Sequence, residues 1–544
     1  MKKQFTPLYI LVFFLFTAST FAQSLEQKFD DVLQEKYKSD TPGATVIITK
    51  KGETIYHKAF GLANMELSVP MKTNNVFEIG SITKQFTAVS ILMLLEQGKL
   101  TIEDEITKYI PDYPTHGKKI TIHHLLNHTS GIKSYTSMNL SEIAAKDMTP
   151  TELIDYFKNE PMDFDPGEEW RYNNSGYIIL GFIIEKVSGQ TYEDFVEQNI
   201  FKPLQMQDSF YGSKSEIIKN RASGYQTHGN YINADYLSMT LPYAAGSLMS
   251  TVKDLNTWQK ALNTNKLLKA TTLQKAFQNT TLNNGKPTYY GYGWSVNKIG
   301  DSPSIEHGGG IFGYTSYQIY IPKEDLHVAI LTNCNCNSPT DVAIQIASIA
   351  INKPYNAQKA TEISAGELEK LVGVYEFEDG AKRIITLKDA QLYSQRDGGQ
   401  KFEIFHKGDN VFFFKDSFSE IEFKTNDTKV TASFKNRIKK TTGKKTNKPI
   451  PSEKETIKVS NDILEQYVGV YEIRPGFDLT IQLEDGKLIS QATGQGSFQI
   501  HPETETKFFV KEFAAALEFI KENGKVTKAI LHQGGRQTPA KRKD

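Results

Sequence analysis

A tandem repeat in the C-terminal part of the 544-residue chain restricts the possible folds more than any other feature. The hexapeptide at residues 371–376 recurs at residues 467–472 with one difference, Leu371 against Tyr467, and the offset from Gly373 to Gly469 is 96 positions. The same offset holds without a gap for further identical pairs: Leu387 and Leu483, Leu392 and Leu488, Ser394 and Ser490, Phe402 and Phe498, Ile404 and Ile500, Phe412 and Phe508, Glu422 and Glu518, Phe423 and Phe519, and Val430 and Val526. The chain therefore contains two copies of one structural unit.

Each copy consists of short alternating apolar runs separated by Gly, Asp and Asn. This pattern predicts a small antiparallel barrel or half-barrel over residues 366–436 and again over residues 462–535. Residues 437–461, rich in Lys with Thr and Pro, are predicted to be a linker, and residues 536–544 a basic tail. The lysines allow contact with an anionic surface such as cell-wall polymer or lipid, although a solvated linker is the favoured interpretation.

A hydroxyl and an amine lie three residues apart at Ser81 and Lys84. Residues 85–97 contain no Pro or Gly and are mostly apolar, so they predict a buried helix that ends at Gly98. Residues three apart on a helix are neighbours, and burial together with the helix dipole favours a neutral Lys84. The pair is a candidate nucleophile and base. Taken alone, however, such a tetrapeptide is more often a capping Ser beside a solvated Lys.

Two further motifs follow along the chain, a Y-x-N loop and an H-x-G hairpin. Tyr172 and Asn174 stand in a turn-rich loop, residues 164–177, that leads into an apolar helix and can project both side chains into a cleft. His307 is followed by three glycines, residues 308–310, and then by alternating residues that predict a β-hairpin. The glycines allow a ligand to lie against bare backbone.

In this order the S-x-x-K, Y-x-N and H-x-G motifs resemble those of the serine β-lactamase and penicillin-binding-protein superfamily. The resemblance is strongest to its branch of class C β-lactamases, D-alanyl-D-alanine carboxypeptidases and esterases. Segments 120–131, 200–206 and 245–255 continue it, so that it covers residues 25–352. It implies an α/β (α+β) catalytic domain with an antiparallel sheet, joining the hairpin at 46–60 to the strands after His307, flanked by helices. A catalytic domain followed by two barrels also resembles D-aminopeptidases of this superfamily, and the barrels resemble lipocalin-like domains.

The resemblance implies a role for each motif residue. Ser81 would attack a carbonyl carbon to form an acyl-enzyme, while Lys84 and Tyr172 relay the proton. Asn174 would orient Lys84 and the substrate amide. The backbone N–H groups of Ser81 and Gly310 would form the oxyanion hole. This chemistry needs no metal and no cofactor.

Substrate binding is implied for His307 and for Gly309 and Gly310, where bare backbone can approach a ligand. Two positions depart from the family pattern: His307 stands where β-lactamases carry Lys, and Gln205 stands where the family usually has Gly. A Lys supplies a permanent cation for the carboxylate of a β-lactam or a peptide C-terminus, whereas His is largely neutral at pH 7. We therefore expect weaker carboxylate recognition than in an efficient β-lactamase.

These observations favour an exported serine hydrolase that acts on a small-molecule or peptide substrate. Three substrate classes stay open: D-amino-acid peptides or amides, small esters, and β-lactams hydrolysed with low efficiency. The competing hypothesis is a binding protein with little turnover, either a penicillin-binding sensor or a wall- or glycan-binding protein. The two barrels are expected to cover the cleft, to mediate a homo-oligomer or to bind the wall.

The N-terminal residues predict the location of the protein. Lys2 and Lys3 precede an apolar run at residues 8–16 and small residues before Ala22, which predicts a cleaved signal peptide at residues 1–22 and a periplasmic or secreted protein. No other stretch approaches the length of a membrane span. A polar linker is predicted after the catalytic domain, at residues 353–365. Because 63 Lys and Arg balance 63 Asp and Glu, nothing suggests binding to nucleic acid.

The positions of Cys and His do not indicate a metal site. Cys334 and Cys336 supply only half of the ligands of a typical metal site. A disulfide between them would close a strained loop, so they are interpreted as structural thiols. His123, His124 and His128 have no accompanying carboxylate motif and are expected to be structural.

Overall fold

The computed structural model describes residues 24–543 apart from short gaps at 229, 337, 355–357, 398, 416, 427–428, 452–455, 475–476, 494–496, 512 and 534–535. The predicted signal peptide at residues 1–22 lies outside the described residues. Among the helices of the described part, none is long and apolar enough to cross a membrane.

Helices surround the sheet of the N-terminal domain, and two short ones precede the barrels. A 3₁₀ turn, Gly80–Ile82, leads into α2, and a π-helical segment, Glu197–Phe201, follows α6. The α-helices are α1 (Leu25–Lys36), α2 (Thr83–Glu96), α3 (Ile122–Leu126), α4 (Pro150–Phe157), α5 (Asn174–Ser188), α6 (Tyr192–Val196), α7 (Lys202–Leu204), α8 (Tyr243–Gly246), α9 (Val252–Asn263), α10 (Ala270–Phe277), α11 (Thr340–Ala350), α12 (Ala365–Leu371) and α13 (Asn461–Leu464).

The N-terminal domain is built on one six-stranded antiparallel sheet. Its strands and the short strands around it are β1 (Ala44–Lys50), β2 (Glu53–Phe60), β3 (Leu62–Asn64), β4 (Val69–Pro70), β5 (Phe77–Glu78), β6 (Phe210–Tyr211), β7 (Tyr225–His228), β8 (Asn230–Asn233), β9 (Leu248–Ser250), β10 (Ser295–Ile299), β11 (Ser302–Ile311), β12 (Tyr314–Ile321) and β13 (Leu326–Thr332). The large sheet has the order β10-β11-β12-β13-β1-β2. This arrangement confirms the predicted sheet, which joins the hairpin at 46–60 to the strands around and after His307.

The two faces of the sheet belong to separate hydrophobic cores, because successive residues of a strand point to opposite faces. In β1, Val46 and Ile48 belong to the core under α1 and α11, whereas Ile47 belongs to the larger core that contains α2, α5 and α9. Helix α2 is buried along nearly its whole length, as its apolar sequence predicts. The helix that carries Lys84 is thus held inside the domain.

Both repeats fold into closed eight-stranded barrels, which confirms the predicted barrels. Repeat-related residues occupy equivalent core positions, for example Phe412 and Phe508. The strands of the first barrel are β14 (Gly373–Phe377), β15 (Lys382–Lys388), β16 (Gln391–Arg396), β17 (Lys401–His406), β18 (Val411–Phe413), β19 (Ser419–Asn426), β20 (Lys429–Asn436) and β21 (Lys439–Lys445). Those of the second are β22 (Gly469–Arg474), β23 (Phe477–Glu484), β24 (Lys487–Ala492), β25 (Ser497–Pro502), β26 (Lys507–Val510), β27 (Ala515–Glu522), β28 (Lys525–Gln533) and β29 (Arg536–Lys543).

The closing strand of each barrel lies in a segment that was expected to be a linker or a tail. β21 falls in the predicted linker at 437–461, and β29 falls in the predicted tail at 536–544, so both predictions are wrong over these strands. The basic side chains of both strands lie mostly on the outer face of the barrel. The most buried position is occupied by a small residue, Gly443 in β21 and Ala540 in β29. Such strands carry too little apolar surface to be distinguished from linkers by composition.

Cys334 and Cys336 form a disulfide, which corrects the prediction of two thiols. Their Cα atoms are 5.2 Å apart in the turn after β13, a separation that a disulfide can bridge. The Thr315 hydroxyl donates a hydrogen bond to the Cys334 carbonyl at 3.0 Å and holds this turn against β12.

The first barrel contacts the N-terminal domain through the turn between β20 and β21. Arg437 in this turn has a φ of +54° and is almost completely buried. Its guanidinium donates two hydrogen bonds to the Glu306 carboxylate of β11, at 2.6 and 2.9 Å. It also donates to the Lys298 carbonyl of β10 at 2.7 Å and to Ser304 Oγ at 3.2 Å. The turn thereby ties the barrel to the edge of the central sheet.

Candidate active site

Ser81 lies in the 3₁₀ turn directly before α2. Gly80 in this turn has a φ of +53°, and a Cβ there would lie 2.8 Å from the backbone nitrogen of Gly310. Only glycine permits this conformation and this contact together. The backbone of β11 at Gly310 therefore lies against the segment that carries Ser81, which is the arrangement that an oxyanion hole built from both backbones requires.

Lys84 is completely buried beside Ser81. Its Nζ lies 3.1 Å from Ser81 Oγ and 2.8 Å from both Asn174 Oδ1 and the Ala245 carbonyl oxygen. The last two atoms only accept hydrogen bonds, so a neutral amine donates both of its hydrogens to them and turns its lone pair toward Ser81. No carboxylate of the described residues pairs with Lys84, and burial lowers the pKa of its amine well below the usual range.

Tyr172 places a phenol next to this pair. Lys84 Nζ is 4.8 Å from the centroid of the Tyr172 ring. The Tyr172 hydroxyl is buried near the Ser81 hydroxyl, and no described residue meets it in full hydrogen-bonding geometry. Burial raises the pKa of Tyr172, and the nearby Ser81 hydroxyl lowers it by a smaller amount, so the phenol keeps its proton at neutral pH. A buried donor that no described residue fully engages is available to an atom of a substrate.

Asn174 is the first residue of α5 and connects Lys84 to the loops around it. The preceding residue, Asn173, caps this helix with its side chain. The backbone nitrogen of Asn174 donates to Ser134 Oγ at 3.2 Å, and its Nδ2 donates to Thr136 Oγ1 at 3.0 Å. These two contacts orient the side chain so that Oδ1 faces Lys84.

His307 is buried in β11 and makes two hydrogen bonds. Nδ1 must donate to the Gly308 carbonyl at 2.6 Å, because a carbonyl only accepts, so Nε2 accepts from the Tyr290 hydroxyl at 2.8 Å. Burial, together with any charge on Lys84, lowers the pKa of His307 to about 3. The imidazole is therefore neutral at physiological pH, and this position carries no cation.

The two glycines that follow Gly308 have different surroundings. A Cβ at Gly309 would lie 2.0 Å from the Ile79 carbonyl oxygen, which also accepts a hydrogen bond from Ser316 Oγ at 2.8 Å. A Cβ at Gly310 would meet no described atom within 4 Å. Gly309 is thus required for close contact with the chain just before Ser81, while Gly310 borders open space.

Comparison with known proteins identifies the family. Residues 23–350 match the beta-lactamase family model. Penicillin-binding protein 4* of Bacillus subtilis (strain 168) is 31% identical over 418 residues, which are 72% of this chain and 92% of that protein. The chain belongs to the beta-lactamase family. As a member of this family it is a serine hydrolase.

Solved structures agree with membership of the beta-lactamase family. The octameric penicillin-binding protein homologue from Pyrococcus abyssi is 26% identical, with a TM-score of 0.54 over 77% of this chain and 99% of its own. A D-stereospecific amidohydrolase from Streptomyces sp. is also 26% identical, with a TM-score of 0.52 over 58% of this chain and 96% of its own. Residues 453–541, which cover the second barrel as far as Lys541 in its last strand, match a domain of unknown function, DUF3471.

Two contributors to this beta-lactamase-family site were not found from the sequence. Tyr290 stands in a tyrosine-rich segment without a periodic pattern, and Ala245 contributes only a carbonyl, for which a sequence has no signal. His128 is expected from the sequence to be structural, and its ring lies 4.4 Å from the Tyr172 ring. Its Nδ1 accepts a hydrogen bond from the Asn173 backbone at 3.2 Å, and its Nε2 is buried without a partner among the described residues. His128 thus supports the position of Tyr172.

The other two histidines of this region form local hydrogen bonds. His123 contacts the Tyr292 hydroxyl at 2.6 Å and Asn127 at 3.0 Å, and His124 closes a capping box with Thr121. Within the described ranges, no group of three or more Cys, His, Asp or Glu side chains is placed to hold a metal ion. The contacts of both histidines stabilise α3 and its surroundings.

Proposed function

We propose that the chain is an exported hydrolase that cleaves amide and ester bonds through an acyl-enzyme on Ser81. The observation that supports this most strongly is the position of Lys84, which is fully buried with its Nζ 2.8 Å from two acceptors, Asn174 Oδ1 and the Ala245 carbonyl oxygen, to which a neutral amine donates its two hydrogens. Its lone pair is then directed to the Ser81 hydroxyl at 3.1 Å. Export is supported by the predicted signal peptide.

In the proposed reaction, Lys84 accepts the Ser81 proton as Oγ forms a bond to the substrate carbonyl carbon. The developing oxyanion binds the backbone N–H groups of Ser81 and Gly310, and the loss of one such donor costs about 2.7–4 kcal/mol in other serine hydrolases. Tyr172 gives its proton to the leaving nitrogen or oxygen as that bond breaks, and protonated Lys84 restores it. A water molecule then attacks the acyl carbon, and its protons return through the same groups to Ser81 and the released acid.

The site favours substrates without a free carboxylate near the scissile bond. His307 and Tyr290 offer hydrogen-bonding groups but no positive charge. D-amino-acid amides and small esters meet this requirement, and the similarity to a D-stereospecific amidohydrolase supports the amides. β-Lactams carry a carboxylate and are expected to be poor substrates.

The alternative function is a penicillin-binding protein with little turnover. The similarity to penicillin-binding protein 4* is the observation that favours it. In this case Ser81 would be acylated, but water would reach the acyl carbon slowly.

One set of assays separates the two functions. The mature protein is given D-alanine p-nitroanilide, its L enantiomer, p-nitrophenyl acetate and a chromogenic cephalosporin, with Ser81→Ala as the control. The proposal expects repeated turnover of the D-anilide and the ester, slow turnover of the cephalosporin, and no turnover by the variant. A single stoichiometric burst with every compound supports the alternative, and turnover by Ser81→Ala contradicts both.

We also propose that the first barrel restricts which substrates enter. A cavity of about 400 Å³ lies between the barrel and the catalytic domain. Its walls include Trp170 and Tyr290 on the catalytic side and Phe418, Arg437 and Lys439 on the barrel side. Because Tyr290 also bonds to His307, bulky substrates are expected to meet the barrel next to the site.

For the second barrel we propose a role in assembly or in wall contact. The octameric state of the Pyrococcus homologue supports assembly. Removal of residues 456–543 should then leave ester hydrolysis intact and change the molar mass in solution or the affinity for wall polymer. An unchanged mass and an unchanged wall affinity would contradict this role.

A further inference from the structure

Two arginines face each other at one end of the first barrel. Arg383 and Arg396 are directly opposite in the register of β15 and β16. The guanidinium of Arg383 lies 3.5 Å from the centroid of the Phe434 ring and 5.8 Å from that of Phe377, and both rings contact the core of the barrel. Directly opposite residues of a ladder share a face, so both arginines belong to the inner face. We call this end, with Arg383 and Arg396, the arginine mouth.

The arginine mouth is at the end of the barrel that contacts the catalytic domain. Phe434, which stacks on Arg383, is near the end of β20, and the turn after β20 carries Arg437 into the catalytic domain. A group bound in the mouth would therefore be close to the contact between the two domains.

Neither arginine of the mouth has an ion-pair partner among the described residues. Asp379 raises the pKa of Arg383, but its carboxylate accepts a hydrogen bond from the Ala381 backbone and forms no ion pair with Arg383. Burial and the like charge of Arg396 lower the pKa of Arg383 to about 10. A desolvated guanidinium beside a second guanidinium is unfavourable without a counter-charge, and an aromatic ring compensates it only in part.

Two hydroxyls on the same inner face also lack partners. Ser394 is 1% exposed, stands two residues from Arg396 on β16 and lies opposite Ile385 of the core. Its Oγ makes no hydrogen bond to any described residue, and the same holds for Thr441 Oγ1, which lies opposite Phe434. Buried hydroxyls normally have a partner, so two unpartnered donors beside two unpaired cations indicate a missing acceptor.

The second barrel shows that the fold does not need these arginines. At the same register position, 96 residues later, Leu479 of β23 lies opposite Ala492 of β24. Leu479 is part of the hydrophobic core of that barrel. The same pair of positions is thus apolar in the second barrel and carries two positive charges in the first.

We propose that the arginine mouth binds an oxyanion, a carboxylate or a phosphate group, through Arg383 and Arg396 with the hydroxyls of Ser394 and Thr441. Planar guanidinium groups match the paired oxygens of these anions, and the hydroxyls donate to the remaining lone pairs. Eight-stranded barrels have room for one small ligand at most, so a single anionic group is expected. That group belongs either to a small molecule or to an anionic polymer.

The test is calorimetric titration of the full mature protein with inorganic phosphate, acetate, polyphosphate and poly-glutamate. The variant Arg383→Leu/Arg396→Ala reproduces the residue pair of the second barrel and is expected to fold. The control Lys440→Ala/Lys444→Ala removes the same charge from the exposed side of β21. Hydrolysis of p-nitrophenyl acetate should be unchanged in both variants.

The proposal expects saturable binding of at least one probe, weakened by about tenfold or more in Arg383→Leu/Arg396→Ala and unchanged in the lysine control. Binding of the monomeric anions assigns the site to a small molecule, and binding of the polymers alone assigns it to a polymer. The bound probe should raise the Tm of the wild type and leave that of the arginine variant unchanged. Absence of saturable binding by every probe, or equal weakening in both variants, would overturn the proposal.

Discussion

Two buried basic side chains of this protein have opposite surroundings. Lys84, in the catalytic cleft, is 0% exposed and has hydrogen-bond partners but no carboxylate partner in the described part of the chain. Arg437, where the first barrel meets the catalytic domain, is 8% exposed and forms two short bonds to the Glu306 carboxylate. Both side chains are removed from water, yet only one of them has a counter-charge.

The chemistry of the two groups explains this difference. An amine releases its proton when burial disfavours the charge, whereas a guanidinium keeps its charge in proteins. Arg437 therefore needs Glu306, and the pair holds two domains together. Lys84 has no carboxylate partner among the described residues, and in the proposed mechanism it is the neutral base for Ser81. The buried basic group without a carboxylate partner thus lies at the proposed chemical site, and the buried basic group that is paired with a carboxylate lies at the structural contact.

The largest effect is expected from Lys84→Met, which removes the base and keeps the volume of the side chain. The kcat/KM for p-nitrophenyl acetate should fall by about 10²–10⁴-fold. Because the pKa of Lys84 is lower in the folded state than in the unfolded state, the amine opposes folding at every pH below its unfolded pKa, near 10.4. Lys84→Met should therefore raise Tm at pH 7, and raise it less at pH 10.

The matched control for this prediction is Lys99→Met, which changes an exposed lysine after α2 and should alter neither kcat/KM nor Tm. Activity of Lys84→Met close to that of the wild type would show that Lys84 is not the base.

Arg437→Met leaves the Glu306 carboxylate buried without its partner. It should lower the free energy of unfolding by about 3–5 kcal/mol, as is typical when one member of a buried ion pair is removed. The double variant Arg437→Met/Glu306→Leu should recover most of this loss. Urea unfolding of the wild type, the two single variants and the double variant measures this change in the free energy of unfolding, with Lys439→Met, at the exposed first position of β21, as the control. Simple additivity of the two single changes would show that the pair is not coupled.

Tyr172→Phe removes the phenol hydroxyl and keeps the ring that contacts His128. We expect kcat to fall by about 10²-fold with KM nearly unchanged, because the phenol acts in the transition state. Combined with Lys84→Met, it should add little to the effect of the lysine change. Fully multiplicative effects on kcat would mean that the two groups do not share one proton path.

His307→Gln should have the smallest effect. An amide can keep hydrogen bonds to Gly308 and Tyr290, so kcat/KM for the ester should stay within about tenfold of the wild type. The wild-type profile should show no inflection near pH 6.5, because the pKa of His307 is about 3. An inflection near pH 6.5 that disappears in His307→Gln would show that the histidine titrates during catalysis.

The lowered pKa of His307 also makes the stability of the protein depend on pH. The pKa of His307 is lower in the folded state than the usual 6.5, so its contribution is present above pH 6.5 and is lost as the pH falls toward 3. His307→Gln should therefore lose less Tm than the wild type between pH 7 and pH 4. An equal loss in both proteins would contradict the assigned pKa.

The parts of the site that are close along the chain could be predicted from the sequence, and the distant contacts could not. Ser81 and Lys84 are three residues apart on one helical segment, so their contact follows from helix geometry. The contacts of Lys84 with Ala245 and of Arg437 with Glu306 join residues that are 161 and 131 positions apart. Such contacts depend on the packing of whole elements, for which a single sequence has no local signal.

In the barrels, too, the local β units could be predicted from the sequence, but the closing strands and the contact with the catalytic domain could not. The repeat of 96 residues predicted two equal β units, and equivalent residues such as Phe412 and Phe508 do occupy equivalent core positions. The closing strands were missed because their inner faces are small, with Gly443 and Ala540 at the most buried positions. The contact between the first barrel and the catalytic domain could not be predicted because nothing in the sequence distinguishes Arg437 from the other basic residues of the predicted linker.

The rate at which a fluorophosphonate reacts with Ser81, measured by intact-protein mass spectrometry as a function of pH, shows whether Lys84 is neutral when it activates Ser81. If Lys84 is a neutral base, the rate should already be on its plateau at neutral pH and should rise little toward pH 10, and Lys84→Arg, which cannot lose its proton, should be unreactive throughout. A rate that climbs about tenfold per pH unit up to the ordinary lysine pKa near 10.4 would show that Lys84 is not a neutral base, and label recovered on another residue would show that Ser81 is not the nucleophile.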